Sequence, residues 1–281
     1  MTTYAAAAPR PSILARSWDL VRRHVLTVYA VLAFTYLLLP IAVVIAFSFN
    51  DPAGRFNYTW QGFTLDNWRN WDGVPGLTGA MSLSLQIAAI SSLVATTLGT
   101  LIALALVRYG FRGRGTTNLL IFLPMAAPEI VLGASLLTLF LTLQFATGFL
   151  TILIAHIMFN ISYVVVTVKA RLAGFDRHLE EAAMDLGATP FVTFRRVTLP
   201  LIAPGVVAAG LLAFALSIDD FVITNFNAGA EVTFPLYVWG AARVGVPPQV
   251  NVIGTMIFGV AVLLMFFNIL FQWRRNPKGA A

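Results

Sequence analysis

Three carboxylates interrupt apolar stretches of this chain, where a charged group is costly and usually serves a purpose. They are Glu129, Asp219 and Asp220, from 12 acidic residues among 281. An aspartate at the centre of a membrane-spanning helix costs about 2.5–3.5 kcal/mol, so it is expected to face a polar interior or a pathway. No Lys or Arg lies deep in the same stretches, so these acids have no obvious internal counter-ion.

Several kinds of chemistry fit these acids. They could line a track for a cation, relay protons or sodium ions, form an aspartyl hydrolase dyad, pair with arginine or hydroxyl groups on a neighbouring helix, or stay protonated. The dyad is disfavoured because adjacent helical side chains point about 100° apart, so Asp219 and Asp220 do not converge. For the same reason at most one of the two lines a pathway directly, and Asp219 is our first choice.

The other polar residues of the apolar stretches do not suggest an enzyme. His156 and Asn160 are four residues apart; two ligands are too few for zinc, and hydrogen bonding between helices explains the pair better than a proton relay. The chain has no cysteine and lacks the GxxxxGK[ST], GxSxG and HExxH patterns. We therefore expect no enzyme activity and no cofactor in this chain, so energy must come from another protein.

A polar stretch, residues 171–200, separates two long apolar runs and suits docking against another protein. Asp176 is placed to cap a short helix with Glu180 and Glu181 in its first turns, where the helix dipole favours acids. Gly187 is expected at the end of this helix, because glycine adopts the left-handed conformation cheaply.

A second short helix is predicted at residues 190–197. Thr189 would cap it and Pro190 would be its first residue. Leu199-Pro200 is then expected to turn the chain back into the membrane.

The first helix offers a face for a partner. Ala183 and Gly187 are four residues apart and share a face, where small side chains permit close approach. Glu181 and Asp185 are also four apart and repel each other, which a cationic partner or the nearby Arg177 would relieve. The alternative is a solvated amphipathic loop with no partner.

The elements that position these residues are long apolar helices. The chain is 58% hydrophobic and 11% charged, whereas soluble domains carry about a quarter charged residues, so it belongs to the membrane class. A spanning helix needs about 20 mostly apolar residues. Six segments meet this requirement: 25–49, 83–107, 119–143, 149–168, 203–226 and 252–273. Glu129 would then lie near the middle of the third span, directly after Pro128, where Pro124 and Pro128 can loosen the helix.

Basic residues predict the orientation of these helices. All Lys and Arg except Arg55, Arg69 and Arg243 lie on one side of the six segments. The positive-inside rule places that side, with both termini and the loop 171–200, in the cytoplasm. The predicted organisation is a tail with an interfacial helix at 1–24, a transmembrane domain at 25–275 and a second tail at 276–281.

Both predicted outer loops are rich in aromatic residues. Residues 50–80 hold six of them, and residues 227–251 hold Phe234, Tyr237 and Trp239. One interpretation is an aromatic belt at the membrane interface. The other is a lid or a docking surface for a partner.

A long signature in the cytoplasmic loop resembles a known family. Glu181-Ala182-Ala183, then Gly187, then Val197-Thr198-Leu199-Pro200 is similar to the EAA signature of permease subunits in binding-protein-dependent ABC importers. That family usually has isoleucine where Val197 stands. The resemblance extends over most of residues 83–273, whose sequence is similar to that of spermidine/putrescine permeases. The stretches that carry it include 128–133, 174–176, 183–188, 216–221 and 244–251.

This resemblance implies an all-α membrane protein with the type I ABC importer permease fold, in the bacterial inner membrane. It implies that the first loop helix is a coupling helix, seated in a cleft of a cytoplasmic ATPase. The partners implied are a second homologous permease, two ATPase subunits that bind ATP and Mg, and an extracytoplasmic binding protein. The implied ATPase-coupling residues are Glu180, Glu181, Ala182, Ala183, Asp185, Gly187, Leu199 and Pro200.

The resemblance also implies a cationic substrate, because a polyamine's separated ammonium groups match carboxylates separated by apolar and aromatic surface. The predicted pathway residues are Glu129, Asp219, Asp220, Phe221, Tyr237 and Trp239. The family usually has aspartate at the position of Glu129. The alternatives are an ABC permease for ferric iron, thiamine or an anion, and an ion-coupled secondary transporter.

Overall fold

The computed structural model describes residues 13–275, with side chains for 24–263 and 265–267, and these residues are almost entirely helical. Within that range the only strand-like pairing is the isolated bridge between Asn50 and Phe63. The helices are α1 Ile13–Phe47, α2 Asp66–Arg69, α3 Leu77–Arg108, α4 Arg114–Ala126, α5 Glu129–Thr142, α6 Phe149–Ala173, α7 His178–Asp185, α8 Pro190–Thr193, a π-helical segment Phe194–Thr198, α9 Leu199–Ile218, α10 Val222–Asn227, α11 Phe234–Val244 and α12 Pro248–Arg275.

The number of long apolar helices agrees with the sequence. Among the described residues, five helices are long and apolar enough to cross a membrane, or six if α4 and α5 form one bent span. Within the predicted segment 1–24, the interfacial helix was expected at residues 18–24, which are helical and continuous with α1. Residues 1–12 of that segment and the predicted tail at 276–281 lie outside the described residues.

The third predicted span is wrong as a continuous helix. It consists of α4 and α5, which meet at a bend of 108°. Pro128 has no backbone N–H, and the residue before a proline avoids the helical region; Ala127 is accordingly extended, with φ −76° and ψ 141°. Glu129 is therefore the first residue of α5 and does not lie in the middle of a helix.

The fifth predicted span also ends early. α9 stops at Ile218, and the chain resumes helical geometry only at Val222 in α10. Asp219 and Asp220 therefore lie in a break, not on a helix. The predicted second outer loop contains the whole of α11, a helix that the sequence did not indicate.

The chain divides into two compact units, residues 74–244 and a unit built from 1–73 with 245–281. In the second of these, α1 packs with α12, and Gly254 approaches Val44. In residues 74–244, α3, α6 and α9 pack on one another around a core that includes Val164, Val168 and Ile202. Gly99 lets α3 approach α6 closely, because a Cβ there would lie 2.6 Å from Val164 Cγ1.

Candidate functional site

The first helix of the loop 171–200 begins next to Asp176, the residue predicted to cap it. α7 starts at His178, whose backbone N–H donates to Asp176 Oδ1 over 3.0 Å. The imidazole Nδ1 lies 2.7 Å from the same oxygen. The pKa of Asp176 is lowered, first because it accepts that backbone N–H, and the pKa of His178 is raised, first because its side chain bonds the Asp176 carboxylate.

The end of α7 is fixed by a glycine, as predicted. Gly187 has φ +86°, in the left-handed region. Its N–H donates to Met184 O, and the N–H of Ala188 donates to Ala183 O, which together form a Schellman motif. The motif satisfies carbonyl groups that the helix leaves unpaired and sends the chain away from the α7 axis.

The second loop helix differs from the prediction. Thr189 caps α8 and Pro190 is its first residue, as expected, but α8 ends at Thr193 and a π-helical segment follows. Leu199-Pro200 does not turn the chain, because residues Pro190–Ile218 form one helical run. In the π segment the N–H of Leu199 donates five residues back, and Pro200 has no N–H to continue the α pattern.

The outward surface of the loop presents unpaired acids beside apolar side chains. The side chains of Glu181 and Asp185 are exposed and make no hydrogen bond or ion pair within the described part of the chain. Leu186 is 90% exposed and Phe191 71% exposed. A groove of about 370 Å³ lies between α7 and the second helix, lined mainly by small and apolar side chains such as Ala183. Such a surface suits a partner that brings both a cation and an apolar ridge.

Two charged residues of the loop do not behave as the sequence suggested. Arg177 does not relieve the repulsion between the acids of α7, because its guanidinium donates to Val107 O over 2.7 Å. Glu180 points inward and accepts hydrogen bonds from Arg108 and Thr198. Glu180 therefore does not belong to the exposed surface of the loop, and local sequence patterns could not predict this pairing because Arg108 lies 72 residues away.

The three acids of the predicted pathway occupy different environments. Glu129 and Asp219 are exposed, and the side chain of Glu129 makes no hydrogen bond or ion pair among the described residues. The side chain of Asp220 is only 8% exposed, and His156 Nε2 lies 3.2 Å from its Oδ2. Asp220 therefore has internal partners, a histidine and the Thr224 hydroxyl, although neither is a Lys or Arg.

Asp220 belongs to a chain of buried hydrogen bonds. The Ser91 hydroxyl donates to the Ser217 hydroxyl over 3.0 Å, and His156 Nδ1 lies 2.6 Å from the same oxygen. His156 Nε2 lies 2.9 Å from the Thr224 hydroxyl, which donates to Asp220 Oδ2 over 2.7 Å. The chain joins α3, α6, α9 and α10, so the predicted hydrogen bonding between helices is confirmed for His156. It is wrong for Asn160, whose buried amide has no hydrogen-bond partner among the described residues.

Backbone groups also hold the Asp220 carboxylate. It accepts the N–H of Thr224 over 2.8 Å and that of Ile223 over 3.4 Å, at the start of α10. The Asp220 side chain thus fixes the break between α9 and α10. Asp219, one residue earlier, is left facing outward.

The two helix breaks are linked through α5 and α10, which pack together. Asn227 on α10 donates to Gly133 O on α5 over 3.4 Å, and a Cβ on Gly133 would lie 2.7 Å from the Phe226 ring. Non-helical backbone at membrane depth is tolerated where it is buried in protein or lines a water-filled cavity. Each of the two breaks carries one exposed acid, Glu129 or Asp219.

Aromatic side chains adjoin the second break. The rings of Phe221 and Trp239 lie 5.2 Å apart, and the Arg243 guanidinium carbon lies 4.9 Å from the Trp239 ring centroid. This contact shows that Trp239 offers a face to a cation. Tyr237 is two residues before Trp239 on α11, about 200° around the helix, so it does not share that face.

Hydrogen bonds from asparagine side chains hold the first of the predicted outer loops in its conformation, and the sequence did not indicate these residues. Asn50 donates to Asn57 Oδ1 over 2.6 Å, and Asn67 donates to Asn50 O over 2.8 Å. Phe49 stacks against Phe63 and Trp68 above this network. The aromatic content of the loop therefore has a structural role.

Comparison with known proteins places these features in a family. The model of the binding-protein-dependent transport system inner membrane component matches residues 95–275. The chain is 40% identical to the spermidine/putrescine transport system permease protein PotC of Escherichia coli (strain K12), over 88% of this chain and 92% of that protein. It is 39% identical to the putrescine transport system permease protein PotI of the same organism, over 85% of this chain and 87% of PotI.

Solved structures share the fold. A bacterial ABC transporter involved in the import of the acidic polysaccharide alginate matches with a TM-score of 0.63 at 18% identity, covering 95% of this chain and 99% of that chain. The inward-facing MetNI methionine ABC transporter matches with a TM-score of 0.55 at 17% identity, covering 68% and 92%. At these identities the likeness concerns the fold alone.

Proposed function

Because this chain belongs to the family of binding-protein-dependent transport system inner membrane components, we propose that it is the membrane-spanning subunit of an ATP-driven importer of polyamines. It is a transport subunit and not an enzyme. The partners proposed are a second permease, two ATPase subunits that bind ATP and Mg, and an extracytoplasmic binding protein.

One observation supports the proposed substrate class. The two helix breaks hold the exposed acids Glu129 and Asp219, and the second break adjoins Trp239, whose ring face contacts the Arg243 guanidinium. Spaced ammonium groups joined by methylenes suit carboxylates separated by aromatic surface. The relatives named for spermidine and putrescine support the same substrate class. Ferric iron, thiamine and anions are the competing substrates.

The proposed mechanism is alternating access. A loaded binding protein docks on the outer loops, the ATPases close on ATP, and α7 carries that movement through the π segment into α9. Glu181, Ala182, Ala183, Asp185 and Gly187 form the proposed contact with the ATPase, whereas Leu199 and Pro200 belong to the helical run that receives the movement. The outer gate, which includes Phe221 and Trp239, then opens to admit the substrate.

Uptake by the assembled complex tests this proposal. The complex, reconstituted in vesicles with its ATPase and binding protein, should take up labelled putrescine or spermidine only when ATP is present. Excess ferric iron, thiamine or sulfate should not compete. Uptake that persists without ATP and follows the proton gradient would instead indicate an ion-coupled transporter.

Glu129 can be tested in the same assay. Glu129→Gln should lower polyamine uptake about tenfold, which corresponds to a loss of about 1.4 kcal/mol of interaction, with the amount of assembled complex unchanged. Glu129→Asp should retain uptake because it keeps the charge. Equal uptake by the wild type and Glu129→Gln would remove Glu129 from the pathway.

A further inference from the structure

The carboxylate of Glu180 lies on the side of α7 opposite the exposed acids. Its side chain is 15% exposed and accepts hydrogen bonds from the Arg108 guanidinium and the Thr198 hydroxyl. Arg108 also donates to the Thr198 hydroxyl over 3.2 Å, and Thr198 is fully buried. These three side chains, which we call the Glu180 cluster, join the end of α3 to α7 and to the π segment.

A second contact attaches α7 to the same turn of α3. The Arg177 guanidinium, from the residue before α7, donates to Val107 O over 2.7 Å. The last carbonyl groups of a helix have no partner within that helix, and cations are favoured there. Arginines therefore reach across in both directions, Arg108 from α3 to α7 and Arg177 from α7 to α3.

The opposite end of α3 is attached to α11. Ser84, near the start of α3, is buried and accepts the backbone N–H of Phe234, the first residue of α11, over 2.9 Å. α3 has 32 residues, and at the helical rise it is roughly 48 Å long. One rigid element is thus bonded to the coupling helix at one end and, at the other, to the helix that carries Trp239.

We propose that α3 is a second route by which movement passes between α7 and the opposite side of the protein, with the Glu180 cluster as the joint. The proposal rests on the proposed function, in which α7 docks on the ATPase. Glu180 is then a positioning residue that ties α7 to α3, and it does not touch the ATPase. The Arg108–Glu180 ion pair is partly buried, with side chains 26% and 15% exposed, so removing one member leaves the other without its partner and loosens the joint between α7 and α3.

The test uses the assembled complex and a signal that must cross the membrane. That signal is the stimulation of ATP hydrolysis by a binding protein loaded with spermidine. In Glu180→Gln and Arg108→Gln, the ATPase should still co-purify and basal hydrolysis should persist, while stimulation falls about five- to tenfold, as expected for a lost coupling energy between sites. Arg112→Gln, a matched exposed control at the same end of α3, should behave as the wild type.

A charge exchange separates transmission from folding. The double variant Arg108→Glu with Glu180→Arg should recover stimulation that Arg108→Glu alone loses, with equal amounts of complex. Unchanged stimulation in both Glu180→Gln and Arg108→Gln would overturn the inference. Loss of the ATPase together with stimulation would overturn it too, since Glu180 would then act in assembly. A wild-type complex that contains no ATPase would instead contradict the proposed function, and this inference with it.

Discussion

Asp219 and Asp220 are adjacent in the sequence, yet the fold gives their side chains separate roles. Asp220 is buried against His156 and Thr224 and caps the start of α10. Asp219 is exposed at the end of α9. The pair shows that one carboxylate in an apolar segment can stabilise the fold through hydrogen bonds while its neighbour stays exposed, where a cation could reach it.

Substituting each aspartate should separate these roles. Asp220→Ala should lower the free energy of unfolding by about 2 kcal/mol, since hydrogen bonds to a charged group are lost, and the midpoint of thermal unfolding in detergent should fall. Asp219→Asn should leave that midpoint unchanged but lower polyamine uptake by the complex. A lower midpoint for Asp219→Asn, with Asp220→Ala unaffected, would contradict these assignments.

The exposed pair of Asp176 and His178 should make the start of α7 sensitive to pH. Because the pKa of Asp176 is lowered, its contribution is present above its ordinary value of 3.8 and is lost as the pH falls through the lowered pKa. Because the pKa of His178 is raised, its contribution is complete below its ordinary value of 6.5 and is lost as the pH rises through the raised pKa.

Hydrogen exchange of the α7 amides measures this effect. After correction for intrinsic rates, protection should be greatest between those two pH values and should fall on the alkaline side as His178 loses its proton. His178→Gln should remove the alkaline decline and leave the acidic one. An alkaline decline of equal size in His178→Gln would show that another group is responsible.

At the scale of elements, the candidate functional features lie at the breaks and junctions between helices more than along the helices themselves. Pro128 separates α4 from α5, and the break at Asp219 and Asp220 separates α9 from α10. A π-helical segment joins the coupling loop to α9. π segments are uncommon and often accompany functional sites, so this junction is a candidate for the proposed transfer of movement from α7.

Substitutions of Gly187 test whether docking depends on the left-handed turn at the end of α7. Gly187→Leu should leave the protein in the membrane, because a Cβ at this position meets nothing within 4 Å in this chain. The left-handed conformation costs a side chain roughly 1–2 kcal/mol, and the leucine would occupy the docking surface, so the ATPase should no longer co-purify. Gly187→Asn is the matched control, since asparagine tolerates this conformation. ATPase recovery and stimulated hydrolysis equal to the wild type in Gly187→Leu would count against the docking surface.

At the scale of the whole molecule, the predicted orientation depends on the distribution of basic residues. The sequence contains no cysteine, so single cysteines can report sidedness without background. A cysteine at Asp72 should react with an impermeant maleimide in intact cells, and a cysteine at Arg112 only after the membrane is opened. Both residues are exposed. The reverse labelling pattern would invert the orientation and place the loop of Glu181 outside.

Much of this organisation could be predicted from the sequence because its causes are local or compositional. The apolar runs predict the long helices. The helix ends in the loop 171–200 are predicted by residue preferences that act within a few positions, at Asp176, Gly187 and Thr189. The prolines at 124 and 128 suggested a loosened helix, although the size of the bend, 108°, depends on the surrounding packing.

The sequence by itself determined that this is a membrane protein with six apolar segments and a polar loop that carries the family signature. Only the tertiary structure decided which acids are free and which are held. Asp220 meets His156 at the start of α10, which packs on α6, and Glu180 of α7 meets Arg108 at the end of α3. The environment of each carboxylate therefore depends on a neighbour 64 or 72 residues away along the chain, which local sequence patterns do not specify.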